Sequence, residues 1–174
     1  LCRVPPGPVR LGELADEGTN TFAAYLVSGL LSRGLGIGGH PAVELLGPGD
    51  ILVGRHLEGS LQACTQLRAA VPCEVALLDD RLLAAARHWP RLVPALVQRL
   101  CEQHDRLALQ LVISHQPRVE DRLLHLFWHL ADRFGQVTLD GVTLPLSLTH
   151  ETLGRLIGPR RPTVTLALLA LASP

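Results

Sequence analysis

The stretch that decides the fold is Leu148–Leu171, LTHETLGRLIGPRRPTVTLALLAL. Thr149 is a residue type that caps helix N-termini, and it precedes apolar residues spaced three and four apart. Gly158 suits the left-handed residue that ends many helices, and Pro162 suits the first turn of a following helix. The stretch therefore predicts two short helices joined by a tight turn.

Two helices around such a turn form the pattern of a helix-turn-helix, whose second helix lies in the major groove of DNA. Arg160 and Arg161 stand at the start of the second helix. Arginine at that end can contact phosphate oxygens and base edges. An ordinary helical hairpin with a solvated basic turn is the alternative, so the interpretation depends on the rest of the chain.

The composition is that of a globular protein with balanced charge. The chain has 174 residues, of which 47% are apolar and 18% charged, with 16 basic and 16 acidic side chains. A net charge of zero argues against indiscriminate coating of nucleic acid, but it allows a local basic patch. The four cysteines form no C-x-x-C pair, and neither a secretory signal nor a membrane-spanning run is visible. We therefore expect a cytoplasmic protein that does not contact membranes.

The first part of the chain has glycine and proline at short intervals between short apolar runs. These runs are Phe22–Val27, Val43–Leu46, Ile51–Val53 and Val75–Leu78. Short apolar strands separated by glycine turns are typical of all-β barrels and sandwiches. We therefore expect a jelly-roll-like β-roll within residues 1–90.

Helical patterns follow the strands. Asp79 or Asp80 can cap a short helix, a long helix is expected over about residues 91–115, and another near residues 119–134. The Asp140-Gly141 pair between two apolar runs predicts a β-hairpin, with strands Val137–Leu139 and Val142–Leu146. The expected fold is α+β, with a β-roll sensor domain at 1–90, a dimerisation helix at 91–117 and a helix-turn-helix domain at 118–174.

The long helix carries an apolar seam with the four-three spacing of a heptad repeat. The seam consists of Val93, Val97, Leu100, His104, Leu107 and Leu111. A second stripe beside it consists of Leu92, Leu96, Ala108 and Val112. One stripe can cover the β-roll while the seam meets a second copy of the chain, although a single helix could also use its seam on the β-roll alone. We expect a homodimer, in which two recognition helices can enter successive major grooves about 34 Å apart.

Four stretches together resemble the Crp/Fnr family of bacterial transcription regulators. They are GPGDIL at 47–52, PCEVALLDDRLL at 72–83, VEDRLLHLFWHLADRFG at 119–135 and SLTHETLGRLIGPRRPTVTLAL at 147–168, the last being similar to the winged-helix signature of the family. The resemblance covers nearly the whole chain. It implies a homodimer that binds double-stranded DNA, a β-roll that reads a small-molecule or redox signal, and RNA polymerase as a further candidate partner.

The resemblance also assigns DNA-facing positions. They are Thr149, His150, Arg160, Arg161, Thr163 and Thr165. Arg161 occupies the position that the family uses most often for base or phosphate contact, and Thr163 and Thr165 would reach a phosphate or a thymine methyl group. Leu166 stands where many members carry another Arg or polar base reader, which suggests a different operator preference or weaker base readout.

The phosphate-binding pattern of the family is degenerate here. Cyclic-nucleotide-binding members have a Gly-Glu pair and, about nine residues later, an Arg followed by Ser or Thr, which neutralise and hold the ligand. At these positions this chain has Val53-Gly54 and Ala63-Cys64. We therefore expect that it does not bind cyclic AMP in the usual way. The effector stays open and no cofactor is expected.

Two other hypotheses belong to different classes of protein. The family pattern continues into a β-hairpin wing where this sequence ends at LASP, so we expect a helix-turn-helix truncated before its wing. That truncation favours a ligand-binding or protein-interaction module that has lost DNA binding. A metal-dependent enzyme would need more than His125 and His129, which share a helix face but lack the Glu of a metalloprotease motif. We expect neither an enzyme nor a metal site, and a redox role for Cys64 or Cys73 is a minor hypothesis.

Overall fold

The computed structural model describes residues 1–14, 20–37, 40–53 and 64–173. The chain forms two compact units, Leu1–Arg106 and Leu107–Pro174. The first unit contains two β-sheets, and the second contains a helical cluster with a small hairpin. Each unit is described separately below.

Eight strands of the first unit, within the described ranges, build two antiparallel sheets. They are β1 (Cys2–Val4), β2 (Gly7–Val9), β3 (Ala23–Ser28), β4 (Leu31–Ile37), β5 (His40–Leu46), β6 (Ile51–Val53), β7 (Cys64–Ala69) and β8 (Cys73–Leu78). One sheet has the order β1-β8-β3-β6 and the other β2-β7-β4-β5. Eight strands in two four-stranded sheets are the arrangement of a double-sheet jelly roll, which confirms the predicted β-roll.

The core of the roll lies between the two sheets. Its most deeply buried apolar side chains come from both of them: Leu26, Leu31, Leu46, Leu52 and Val75. Each such side chain contributes about 1.5–3 kcal/mol by leaving water. The four predicted apolar runs correspond to β3, β5, β6 and β8. The sequence did not indicate β1, β2, β4 or β7, because these strands are short or interrupted by polar residues and glycine.

The described helices are α1 (Leu11–Leu14), α2 (Asp80–Ala86), α3 (Leu92–Ser114), α4 (Val119–Phe134), α5 (His150–Ile157) and α6 (Arg161–Ala172). The structure assigns the cap of α2 to Asp79, whose Oδ1 accepts hydrogen bonds from the backbone N–H groups of Arg81 at 2.9 Å and Leu82 at 3.2 Å. The long helix and the helix at 119–134 begin and end within one residue of their expected bounds.

The second unit has its own core, formed where α4, α5 and α6 pack together. Leu123 and Leu126 of α4, Ile157 of α5 and Val164 of α6 are almost fully buried there. Leu123, Ile157 and Val164 belong to the apolar faces that the three-and-four spacing predicts, whereas Leu126 lies outside the predicted face of α4. The shared core of the three helices therefore fixes α5 and α6 against each other.

The hairpin of the second unit differs from its prediction by one residue. Strands β9 (Gln136–Thr138) and β10 (Gly141–Thr143) pair with Gly141 opposite Thr138, so the two-residue loop is Leu139-Asp140 and not Asp140-Gly141. Gly141 has a φ of +138° at the start of β10, a conformation that favours glycine. The second strand also ends at Thr143 instead of Leu146, since a proline two residues later cannot donate to the ladder.

Candidate nucleic-acid interface

Helix α5 begins where the sequence predicts. Thr149 has extended backbone, with φ −81° and ψ 157°, and its Oγ1 accepts a hydrogen bond from the backbone N–H of Thr152 at 3.1 Å. The hydroxyl oxygens of the two threonines lie 2.9 Å apart. The cap satisfies one of the unpaired N–H groups of the helix start. His150 is therefore held as the first helical residue, at the exposed end of α5.

The turn between α5 and α6 requires two glycines. Gly158 ends α5 with φ +95°, and its N–H donates to the carbonyl of Gly154 at 2.7 Å. A Cβ atom at Gly154 would lie 2.5 Å from the carbonyl oxygen of Pro159, which leaves no room for a side chain. The first glycine allows the left-handed bend and the second allows the turn to approach α5 closely. Together they set the geometry in which α6 leaves the turn.

Arg122 of α4 fastens the end of α5 to the rest of the unit. Its Nη1 donates to the carbonyl oxygen of Ile157 at 3.3 Å, and its Nε donates to the carbonyl oxygen of Gln116 at 2.6 Å. A cation near the last carbonyls of a helix also interacts favourably with the helix dipole. Sequence reasoning missed this positioning residue, because nothing in its local pattern distinguishes it from an ordinary surface arginine.

Helix α6 begins with the two arginines of the turn. Arg160 is the N-cap residue, and its carbonyl oxygen accepts from the N–H groups of Thr163 at 3.0 Å and Val164 at 3.2 Å. Pro162 lies in the first turn, as predicted. The side chains of Arg160 and Arg161 are exposed at this end. Their charges add to the positive end of the helix dipole, so the start of α6 is suited to bind anions such as phosphate.

Three of the predicted DNA-facing residues are joined by hydrogen bonds. Nδ1 of His150 lies 2.9 Å from Oγ1 of Thr165, and the Thr165 hydroxyl donates to the carbonyl oxygen of Arg161 at 3.1 Å. The hydroxyl has one hydrogen, so in this arrangement His150 donates from Nδ1. The start of α5 is thereby tied to the first turns of α6. Thr163 is exposed beside this group, whereas Thr149 serves as the cap of α5.

The outward face of α6 is mainly apolar. Val164 and Ala167 are buried, which turns the opposite side of the helix to solvent. Leu166 is 69% exposed and Leu169 is 62% exposed on that side. Hydrogen-bonding side chains are therefore concentrated in the first turns of α6, and the next outward position carries a branched hydrocarbon.

The degenerate phosphate positions of the sensor lie mostly outside the described residues. Gly54 and Ala63 are beyond the described ranges, as is the side chain of Cys64. Val53 ends strand β6, opposite Ala23 in β3, and its side chain is partly exposed. The expectation that cyclic AMP is not bound in the usual way therefore stays a prediction.

A buried carboxylate lies in the glycine turn before that region. Asp50 is 0% exposed. Its Oδ2 accepts from the backbone N–H of Gly47 at 2.9 Å, and its Oδ1 accepts from Nη2 of Arg106 at 2.5 Å. The first bond closes the turn, and the second joins the turn to the long helix α3. A buried charge needs such a partner, because desolvation of an isolated carboxylate is very costly.

A second buried polar contact joins α3 to the roll. Oε1 of Gln103 accepts from the backbone N–H of Ile51 at 3.1 Å, and its Nε2 donates to Oε1 of Glu44 at 3.5 Å. Glu44 in turn pairs with Arg33 at 2.5 Å. Arg106, Gln103 and Leu96 lie on one face of α3, and Leu96 packs against a small apolar cluster of the roll. Leu96 belongs to the second apolar stripe that the sequence indicates.

Two other apolar residues of that stripe, Ala108 and Val112, belong to the second unit and are exposed. The predicted seam is exposed along its whole length in the single chain, including the apolar residues Val93, Val97, Leu100, Leu107 and Leu111, and the polar residue His104. The long helix thus presents one face to the roll and a broad apolar face to solvent.

The remaining candidates from the sequence are Cys73 and the histidine pair of α4. Burial raises the pKa of the Cys73 thiol, so the reactive thiolate form is disfavoured. His125 is exposed and His129 half-buried on α4. Among the described residues no group of three or more metal-ligating side chains comes together, and no helix is long and apolar enough to span a membrane.

Comparisons with known proteins give matches in structure only. No protein-family model and no curated protein sequence matches the chain. A CRP-family transcriptional regulator from Thermus thermophilus is 19% identical with a TM-score of 0.70, over 98% of this chain and 84% of that one. A CooA variant from Carboxydothermus hydrogenoformans is 16% identical with a TM-score of 0.71, over 98% of this chain and 74% of that one. A cyclic nucleotide-binding domain containing protein from Listeria monocytogenes is 14% identical with a TM-score of 0.74, over 98% and 80%.

These likenesses extend over both units of the chain, and they agree with the resemblance that the sequence motifs carry. Structures from CRP/FNR-family regulators recur among them, including a second regulator from Thermus thermophilus that is 21% identical with a TM-score of 0.62, over 98% of this chain and 84% of that one. At such identities the likeness establishes architecture. The fold of this chain is that of the CRP/FNR-type transcription regulators.

Proposed function

We propose that this chain is a dimeric, sequence-specific DNA-binding transcription regulator of the Crp/Fnr type, acting in the cytoplasm and not as an enzyme. Its β-roll is proposed to respond to something other than cyclic AMP bound in the usual way. RNA polymerase is a candidate partner of the DNA-bound form.

One observation carries the proposal. Arg160 and Arg161 stand exposed at the start of α6, and that start is held in place by the glycine turn and by Arg122. A rigid helix that presents paired guanidinium groups at its N-terminus has the charge and geometry to enter a major groove. The hydrogen bonds that join His150, Thr165 and Arg161 add to this rigidity.

The exposed apolar face of α3 supports the dimer. An apolar face with heptad spacing on a long helix is stable when a second helix covers it. A two-fold pairing through the seam would supply two recognition helices to one duplex. A pseudo-palindromic operator is the expected binding site.

The decisive experiment begins with selection of duplexes from a random pool by the full chain at low salt, followed by affinity measurements across a range of salt concentrations. We expect enrichment of a pseudo-palindrome and an affinity that falls steeply as salt rises. Arg161→Ala should weaken binding to the selected duplex about ten-fold or more, because an arginine–guanine pair is worth about 1–3 kcal/mol.

A matched control separates a local effect from the loss of one positive charge. Arg3 lies on β1 in the first unit, where its side chain is 90% exposed, so Arg3→Ala should leave DNA affinity almost unchanged. Unchanged binding by the Arg161 variant at every salt concentration would overturn the assignment of the interface.

The second candidate function is a ligand-binding or protein-interaction module of the same fold. The exposed Leu166 and Leu169 favour it, since large apolar side chains on a surface are common in protein interfaces. Failure to enrich any duplex at low salt, with a folded and dimeric chain, would favour this module over the DNA-binding regulator.

A further inference from the structure

The outward face of α6 combines one polar end with an apolar middle. Arg161 is exposed in the first turn, and Leu166 is 69% exposed five residues later. Five residues of helix rise about 7.5 Å, which is close to two base-pair steps when a helix follows the groove. The two side chains are therefore spaced to meet different base pairs of one half-site.

Hydrogen-bond readout is restricted to the start of the helix. The Thr165 hydroxyl is already engaged by His150 and by the carbonyl of Arg161, so its hydrogen is not available to a base. Arg161 and Thr163 are the exposed side chains of this part of α6 that can still hydrogen-bond to a base edge. Leu166 can neither donate nor accept, so it can discriminate between bases only through an apolar group.

The major groove offers one such group among the four standard bases, the C5-methyl of thymine. A leucine placed against guanine, adenine or cytosine would cover polar edges without satisfying them, which is unfavourable. Resting on the proposed DNA-binding function, we propose that Leu166 reads a thymine methyl group, so that each operator half-site pairs a base contacted by Arg161 with a thymine about two steps away.

The test removes the methyl group and leaves every hydrogen-bonding atom in place. Duplexes enriched from a random pool by the full chain are resynthesised with deoxyuridine replacing thymine, one position at a time. We expect one symmetric position per half-site at which affinity falls about four-fold, and about fifteen-fold when both half-sites are changed, as the burial of one methyl group implies. Replacing the same thymine with cytosine should weaken binding, and 5-methylcytosine should recover part of the loss.

Two exposed leucines of the same helix provide a variant and its control. In Leu166→Ala the ratio of affinities for thymine and deoxyuridine duplexes should approach one. Leu169→Ala should show the same ratio of affinities as the wild-type chain, because residues near the helix N-terminus make the base contacts in this motif. Circular dichroism of both variants should match the unchanged chain, since both side chains are mostly exposed.

The outcomes separate this inference from the proposed function. The inference is supported if deoxyuridine lowers the affinity at one thymine position per half-site and this decrease is absent in Leu166→Ala. An operator that is bound tightly and depends on Arg161, with no position sensitive to deoxyuridine, overturns the inference and leaves the function intact. The inference is also overturned if Leu169→Ala brings the ratio of affinities for thymine and deoxyuridine duplexes as close to one as Leu166→Ala does. Failure to enrich any duplex overturns both and favours a protein partner for the apolar face.

Discussion

Arg106→Met tests whether the buried pair with Asp50 joins the long helix to the β-roll. Methionine keeps much of the aliphatic length of the side chain and removes the guanidinium. Asp50 is 0% exposed and accepts from the backbone N–H of Gly47, so the substitution takes the Arg106 guanidinium away from a buried negative charge and leaves the turn contact in place. The substitution therefore isolates the electrostatic part of the contact.

The expected loss follows from the geometry of the pair. Breaking a buried ion pair on one side costs about 3–5 kcal/mol. The Arg106 side chain is 28% exposed, so water can partly replace it, and we expect the lower end, about 3 kcal/mol. Asp50→Asn removes the charge and keeps the turn contact. The double variant should therefore lose at least about 1 kcal/mol less than the sum of the two single variants.

Urea unfolding followed by circular dichroism measures these free energies. Arg99→Met is the control on the same helix, because Arg99 is 54% exposed in its 3.0 Å pair with Glu102 and such surface pairs contribute about 0–1 kcal/mol. A cost below about 1 kcal/mol for Arg106→Met, or strict additivity in the double variant, would refute the view that a buried charge pair holds α3 to the roll.

Four further predictions follow from individual residues. Gly154→Ala should destabilise the second unit by about 1–3 kcal/mol in hydrogen exchange of α5 and α6, since the new methyl group would overlap the carbonyl of Pro159; protection equal to that of the unchanged chain would contradict the close approach. Val97→Glu should shift the proposed dimer to monomer in sedimentation at a fixed concentration, whereas an unchanged mass would remove the seam from the interface. Cys73 should alkylate more slowly than the exposed Cys101 at pH 8, because burial raises the pKa of its thiol. The raised pKa also makes the free energy of unfolding depend on pH. The contribution of the protonated Cys73 thiol is fully present below the ordinary thiol pKa of about 8.5 and should be lost as pH rises through the raised value. Cys73→Ala should therefore reduce the loss of stability at alkaline pH.

The helical half of the chain was predicted well because its signals are local. Thr149 caps α5, Gly158 ends it in the left-handed region, and Pro162 lies in the first turn of α6, as the sequence indicated. Each of these preferences acts within one turn of helix, so neighbouring residues suffice to reveal it. The hairpin was less exact, since Asp140-Gly141 permits more than one turn register, and the pairing of Gly141 with Thr138 selects one of them.

The β-roll was predicted in kind but not in detail. Strand β4 contains two glycines and an arginine, and although β5 follows it directly, its other partner β7 lies far away in the chain. The polar contacts of α3 with the roll were not visible in the sequence for the same reason. Gln103 is buried because Ile51 and Glu44 supply hydrogen-bond partners.

The sequence by itself determined the helix-turn-helix, its arginine pair and the heptad seam, because capping, glycine conformation and helical periodicity are properties of short segments. The tertiary structure alone decided which groups meet across long separations. It pairs Asp50 with Arg106, brings Arg122 to the last carbonyl of α5, and turns Leu166 outward by burying Val164. Burial and charge pairing depend on the environment that the whole chain creates, and a local pattern cannot contain that environment.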